Sequence, residues 1–220
     1  MDGNGRWARA RGLPRSAGHR AGTENLRRVL RAAAEFGVPI LTIYAFSTEN
    51  WGRSKGEVKA LMAILETVID RELMELHQEG VQLRHIGRLG RLPPRLQRKI
   101  LKAIELTKGN TQLILNVAFD YGGRAEIVDA IRQIISDGVA VDQVDESLVC
   151  SYLYTAGLPD PDLIIRTSGE MRVSNFLIWQ GAYAELYSPP CLWPDFGKDE
   201  LYEALKHFNQ RERRFGLVPG

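Results

Sequence analysis

Cysteine is scarce in this 220-residue chain: Cys150 and Cys191 stand far apart, in neither a CxxC nor a metal-ligand spacing. That excludes a disulfide framework and reads as free thiols in a reducing compartment. No apolar run approaches the ~20 residues that a membrane-spanning helix needs. No basic segment followed by an apolar stretch opens the chain, as a secretory signal would. Lysine and arginine form no long run, and the net charge is only +2, which argues against a nucleic-acid partner. GxxxxGK[ST], GxGxxG after a strand and HExxH are all missing, which removes the phosphate loop, the dinucleotide fingerprint and the helical zinc site. Neither an internal repeat nor a low-complexity linker interrupts the chain, so residues 1–220 read as a single domain.

What is present suits a soluble α/β protein. Apolar residues make up 44% of the chain, enough for a sizeable core, and charged residues 25%. Strand and helix signals alternate. A helix is expected over 24–36, stopped by Gly37, then an apolar strand ending at Ser47. A long helix over 57–78 carries a wide apolar face, from Val58, Leu61, Met62 and Leu65 to Leu73 and Leu76. Strand 81–87 and a helix opened by prolines over 92–108 follow. Strand 111–121 runs into a glycine turn, and helices are expected over 124–138 and 146–157. Strand 162–166, a part-strand within 175–188 and a closing helix over 198–216 complete the pattern. Such alternation predicts a mostly parallel central sheet flanked by helices, with working loops beyond the carboxyl ends of its strands. Three polar clusters fall there: STENWGR, DYGGR and RTSGEMRVS.

The opening MDGNGRWARARG raises the first chemical question. Gly3 and Gly5 allow positive φ, so that backbone N–H groups can converge on an anion. Arg6 adds a planar fork for phosphate oxygens. Asp2 cannot meet phosphate directly but can do so through a divalent cation such as Mg²⁺. The same letters also serve a plain Asp-Gly turn. GHRAG at 18–22, with Arg15 before it, offers His19 as a second phosphate donor or as an ordinary helix-start residue. In AFSTENWGR, Ser47, Asn50 and Arg53 offer donors and Trp51 a broad apolar face. Asn50 is too weak a base for simple proton removal and reads as a positioning group for a diphosphate or a water. Arg166, Arg172 and Ser174 form a second phosphate-type cluster. Glu185, in an apolar context, needs a partner, for which a cation and an ordinary buried contact are both candidates. The inventory fits a substrate with a diphosphate head and an apolar tail.

Together these stretches resemble the cis-prenyltransferase family, most closely its bacterial undecaprenyl diphosphate synthases. The resemblance rests on MDGNGRWA at 1–8, GHRAG at 18–22, YAFSTENWGR at 44–53, EVKALM at 57–62 and NVAFDYGGR at 116–124. It continues through IRTSGEMRVSNFLIWQGAYAELY at 165–187, LWPDF at 192–196 and RERRFG at 211–216. It implies an Mg²⁺-dependent, homodimeric enzyme that adds isopentenyl diphosphate to an allylic diphosphate with cis geometry, farnesyl diphosphate being the common primer. It also implies a parallel sheet with helices around it and a hydrophobic tunnel for the growing chain, for which helix 57–78 is the candidate wall. The DDxxD motif of trans-prenyl synthases is absent here too. By resemblance, Asp2 acts at the metal and the diphosphate, and Gly3, Asn4, Gly5 and Arg6 cradle the allylic diphosphate, with Trp7, Arg15 and His19 nearby. Ser47, Thr48, Glu49, Trp51 and Arg53 match substrate-contacting positions, and Asn50 the residue often assigned as proton acceptor. Arg166, Arg172, Val173 and Ser174 match the isopentenyl diphosphate site, and Glu185 the second metal carboxylate. The implied product is a long polyprenyl diphosphate, the undecaprenyl carrier lipid of cell-wall synthesis. The implied location is cytoplasmic, with peripheral contact at the inner membrane face for product release.

Two departures accompany the match. The family carries a strand of the type H-x-A-x-I-M before DGNGRW. The alternatives are a clipped chain, a misassigned start at Met1 or a native protein that manages without the strand, of which the misassigned start is expected. Arg88 stands where the family often has an acidic residue, and a peripheral effect is expected. The reading from another class is a non-catalytic homologue that supports an active partner. Retention of Asp2, Arg6, Asn50, Arg166, Arg172 and Glu185 argues against it.

Overall fold

The computed structural model describes residues 1–212. They divide into two compact units: residues 1–38, 160–173 and 180–212 in one, and 39–159 with 174–179 in the other.

In the first unit, helices α1 (Asn4–Ala10) and α2 (Arg15–Glu35) accompany the short parallel strands β4 (Leu163–Ile165) and β5 (Glu185–Tyr187), and α7 (Lys198–Asn209) follows. The helix expected from residue 24 begins nine positions earlier, because GHRAG is helical. Gly18 and Gly22 are there for close packing. A Cβ on Gly18 would stand 2.0 Å from the Asn4 carbonyl oxygen, and one on Gly22 would stand 2.3 Å from Asn4 Oδ1. α2 buries Val29, Leu30, Ala32 and Ala33. It ends as expected at Gly37, whose φ of 72° lets Val38 N–H return to the Ala33 carbonyl. The buried Asn25 amide donates to the carbonyls of Trp193 and Phe196, tying LWPDF to α2. The closing helix stops at Asn209, and residues 213–216 of its expected span lie outside the described residues.

The second unit holds β1 (Ile40–Ser47), α3 (Lys55–Gln78), β2 (Val81–Ile86), α4 (Pro94–Thr107), β3 (Leu113–Tyr121), α5 (Gly123–Ser136) and α6 (Glu146–Tyr152). Its sheet is parallel, in the order β1-β3-β2, with Ile40 opposite Ile114 and Val81 opposite Leu113. β3 is central and almost wholly buried, as a parallel strand covered on both faces must be. Phe46 and Phe119 stack at 5.0 Å and share a core with Met62, Leu92, Leu96 and Ile100. Helices flank parallel strands as expected, but the strands hydrogen-bond as a three-stranded and a two-stranded sheet. Within 175–188 only Glu185–Tyr187 is strand. Phe176 and Leu177 instead pack with Tyr44 and Tyr121, with Leu177 at φ 44°. None of the described helices is long and apolar enough to cross a membrane.

Candidate active site

Asp2 is fixed in the first unit by its backbone. Its N–H donates to Thr167 Oγ1 at 3.0 Å, the Thr167 hydroxyl donates back to its carbonyl at 2.8 Å, and Trp193 N–H donates to that same oxygen. The side chain is thereby left to meet cations. Arg166 Nη2 donates to Oδ2 at 3.0 Å, and Arg6 Nη2 stands 3.6 Å from Oδ1, which also accepts the Gly3 N–H. Partial burial alone would raise this carboxyl. The Arg166 hydrogen bond, the Gly3 N–H and the charges of Arg166 and Arg6 outweigh burial and hold it below the usual carboxylate range. Gly3 takes φ 103°, and a Cβ there would stand 2.5 Å from Ser168 Oγ. Gly5 does not share that conformation. It lies inside α1 with Arg15 Nε 3.3 Å from where its Cβ would be, so the expected nest of two positive-φ glycines reduces to Gly3 alone.

Arg166, after β4, also donates to the Arg172 carbonyl. Arg172 is exposed and pairs with Glu170, whose other oxygen lies 3.3 Å from Arg6. Asp2, Arg6, Arg166, Glu170 and Arg172 therefore form one chain of alternating charge. Thr167 and Glu170 went unmarked in the sequence because their roles come from long-range contacts with no local pattern. Exposed Val173 ends this segment. Asn4 is wedged against the α2 glycines, its Oδ1 buried without a hydrogen-bond partner. The Trp7 indole N–H donates to Asp195, and Arg11 stacks over the ring at 4.2 Å. His19 lies in α2, its carbonyl accepting the Thr23 hydroxyl. Glu185 opens β5 with Arg211 Nε 3.7 Å away. No group of three or more His, Cys, Asp or Glu is gathered for a metal among the described residues. Asp2, ionised and about one-third exposed, still fits Mg²⁺, which takes one or two carboxylates and completes its shell with phosphate oxygens.

In the second unit, β1 runs out at Ser47 into a 3₁₀ turn, Thr48–Gly52. Asn50 Oδ1 accepts the Ser47 N–H at 3.2 Å, so the amide closes the turn. Glu49 accepts from Asn175 Nδ2 at 2.8 Å. Desolvation would raise Glu49, but hydrogen bonds from its own N–H, Asn175, Ser47 and Thr48 prevail and lower it. Trp51 Nε1 donates to Asp120 Oδ1 at 2.7 Å, and Arg53 pairs with Glu57 at 3.0 Å. Ser174 belongs to this unit, at φ 46°. A cleft of about 460 Å³ is lined by Trp51, Val58, Met62, Leu92 and Pro93, with the cations Arg53, Lys55, Lys59 and Arg91 around them. α3 runs along it and buries only Met62, while Leu61, Leu65 and Ile69 stay half-buried. Arg88, the departure from the family pattern, forms a two-pronged ion pair with Asp129 at 2.7 and 2.8 Å, and the Tyr154 hydroxyl joins it.

The profile of a family described as "Putative undecaprenyl diphosphate synthase" matches residues 1–216. An isoprenyl transferase of Heliobacterium mobile is 54% identical over 222 aligned positions, covering 99% of this chain and 85% of that protein. Among solved structures, lavandulyl diphosphate synthase from Lavandula x intermedia, in complex with dimethylallyl diphosphate, superposes with a TM-score of 0.94 at 38% identity. That match covers 98% of this chain and 95% of the other. A "probable undecaprenyl diphosphate synthase" from Campylobacter jejuni gives 0.81 at 34% identity, over 89% and 92%. With residues 1–216 matched to the family and 99% of its length aligned to a relative at 54% identity, the chain belongs to the undecaprenyl diphosphate synthase family of prenyltransferases.

Proposed function

We propose that this chain is a single catalytic domain that condenses isopentenyl diphosphate onto an allylic diphosphate, farnesyl diphosphate being the expected primer. The product is a long polyprenyl diphosphate of the kind that carries cell-wall precursors. The observation that carries the reading is the Asp2 corner: an ionised carboxylate on a rigid backbone, with the guanidinium forks of Arg6 and Arg166 on its oxygens. The Arg6 guanidinium, nearly half exposed and paired with the carboxylates of Asp2 and Glu170, can exchange them for phosphate oxygens. In this reading Gly3, Asn4, Gly5 and Arg6, with Trp7, Arg15 and His19 nearby, cradle the allylic diphosphate. Arg166, Arg172, Val173 and Ser174 take the isopentenyl diphosphate. Mg²⁺, held by Asp2 with Glu185 as the second carboxylate, supplies positive charge against the diphosphate when bound.

The protein's own groups then account for the chemistry. As the allylic carbon–oxygen bond ionises, Arg6 and the backbone N–H groups beside Gly3 stabilise the charge on the leaving diphosphate. Arg166 and Arg172 hold the second diphosphate so that its double bond attacks the allylic carbon, and loss of a proton completes the cycle. Asn50 acts as an orienting amide, because its oxygen already accepts the Ser47 N–H and an amide is a feeble base. Ser47, Thr48, Glu49, Trp51 and Arg53 contact substrate. The half-buried apolar face of α3 forms the wall of the chain tunnel and keeps water from the allylic cation. The same proposal includes a homodimer in the cytoplasm, with peripheral contact at the membrane for product release.

The test is incorporation of labelled isopentenyl diphosphate into polyprenyl product with farnesyl diphosphate, in Mg²⁺ and in EDTA. A long product lost in EDTA supports the reading. An intact fold with no turnover in Mg²⁺ would instead favour a non-catalytic supporting subunit.

A further inference from the structure

The DYGG segment at the end of β3 carries more chemistry than a turn requires. Asp120 is 1% exposed and takes φ 50°, a left-handed conformation that Asn and Asp tolerate better than most residues. Its Oδ1 accepts the Trp51 indole N–H at 2.7 Å and has Arg91 Nη1 at 3.6 Å. Oδ2 is buried with no hydrogen-bond partner. Burying a carboxylate with half of its acceptor capacity unused is costly, so packing does not explain this residue. Its surroundings converge on the Thr48–Gly52 turn. Arg91 lies over the Trp51 ring at 5.0 Å, and Phe46 meets that ring edge-on at 5.3 Å. Two positions on, a Cβ at Gly122 would stand 2.6 Å from Thr48 Oγ1 and 2.9 Å from Asn175 Nδ2, so only glycine admits the turn so close.

We propose that Asp120 is a positioning residue for the active site: its buried carboxylate fixes the indole of Trp51, and with it the Thr48–Gly52 turn that presents Asn50. The inference rests on the substrate role proposed for that turn. Asp120 acts through Trp51 and touches neither substrate nor metal. The strength of a charge-assisted N–H···O bond sets the scale of its effect.

The full chain carries four tryptophans, and the Trp51 indole N–H signal in a ¹H–¹⁵N spectrum is assigned by its loss in Trp51→Phe. Asp120→Gly, which accepts φ 50° freely, deletes the contact, and Asp120→Asn keeps an oxygen acceptor. In Asp120→Gly the Trp51 signal is expected to move upfield while the other three stay. Turnover should fall about ten- to a hundredfold, with KM for isopentenyl diphosphate changed less than about threefold. Asp120→Asn should restore turnover to within about threefold of the parent, and adding Asp120→Gly to Trp51→Phe should cost less than about threefold more. If the parent chain makes no polyprenyl product, the functional reading fails while the indole signal still decides the positioning. An unmoved Trp51 signal in Asp120→Gly, or an equal loss of turnover with and without the indole, would overturn the proposal.

Discussion

The Asp2 corner and the Thr48–Gly52 turn are both polar, yet opposite means hold them. At Asp2 the backbone is fixed by Thr167 and Trp193, and the side chains are joined by ion pairs among partly exposed groups. Such pairs contribute little to stability and exchange partners readily, which suits the diphosphate binding proposed for this corner. At the turn, the side chains themselves are held by hydrogen bonds: Trp51 to buried Asp120, Glu49 to Asn175, Asn50 to Ser47. The contact to the buried Asp120 carboxylate resists exchange and preserves the shape of the turn. One region is thus built for affinity and the other for geometry, and substitutions should separate the two.

The largest expected effect is at Asp2. Asp2→Ala should reduce product formation about a hundredfold or more while the thermal melt by circular dichroism stays close to the parent, because its partners are solvent-accessible. A large drop in melting temperature would make Asp2 a structural residue and break the contrast. Gly18→Ala attacks the same corner through packing. Its new methyl would collide with the Asn4 carbonyl, and calorimetry should show a loss of about 1–3 kcal/mol together with loss of turnover. At the turn, Asn175→Ala removes the donor to Glu49 and the acceptor for the Arg124 N–H. About 1 kcal/mol of stability and a moderate fall in kcat are expected, with the Mg²⁺ dependence of the rate unchanged. An altered Mg²⁺ dependence would mean that the two regions do not act separately.

The smallest effect is that of pH. Asp2 and Glu49 both titrate below their ordinary values in the folded chain. A carboxyl lowered by folding adds stability above its unfolded value, near pH 4, and loses it as the pH falls through the folded value. The contribution of these two groups to denaturant midpoints should therefore not vary with pH near neutrality and should decline below about pH 4. Asp2→Asn and Glu49→Gln should each flatten that decline, and a slope unchanged by both would contradict the hydrogen-bonding described for them.

The two long helices show where the sequence sufficed and where it did not. The apolar face of α3 is readable from its spacing, and in the structure Leu61, Leu65 and Ile69 of that face pack half-buried against the core. The start of α2 is not readable. Gly18 and Gly22 look like breakers locally, yet they sit inside the helix, where Asn4 of another helix occupies the space that a side chain would need. Arg88 looked like a loss of charge pattern, and its partner Asp129 lies on a different element, 41 residues away.

Apart from α1, which falls on residues read as a glycine turn, the order of strands and helices, the long apolar face, the Gly37 stop and the motif-bearing segments followed from the sequence, because each depends on periodicity, φ preference or residue type at short range. The tertiary structure alone decided that Thr167 anchors Asp2, that Glu170 links Arg6 to Arg172, that Trp7 faces Asp195, and that a buried Asp120 holds Trp51. Each of those is a contact across 69 or more residues or between separate segments. Pairing over such distances depends on which surfaces packing brings together, and local preference carries no record of it.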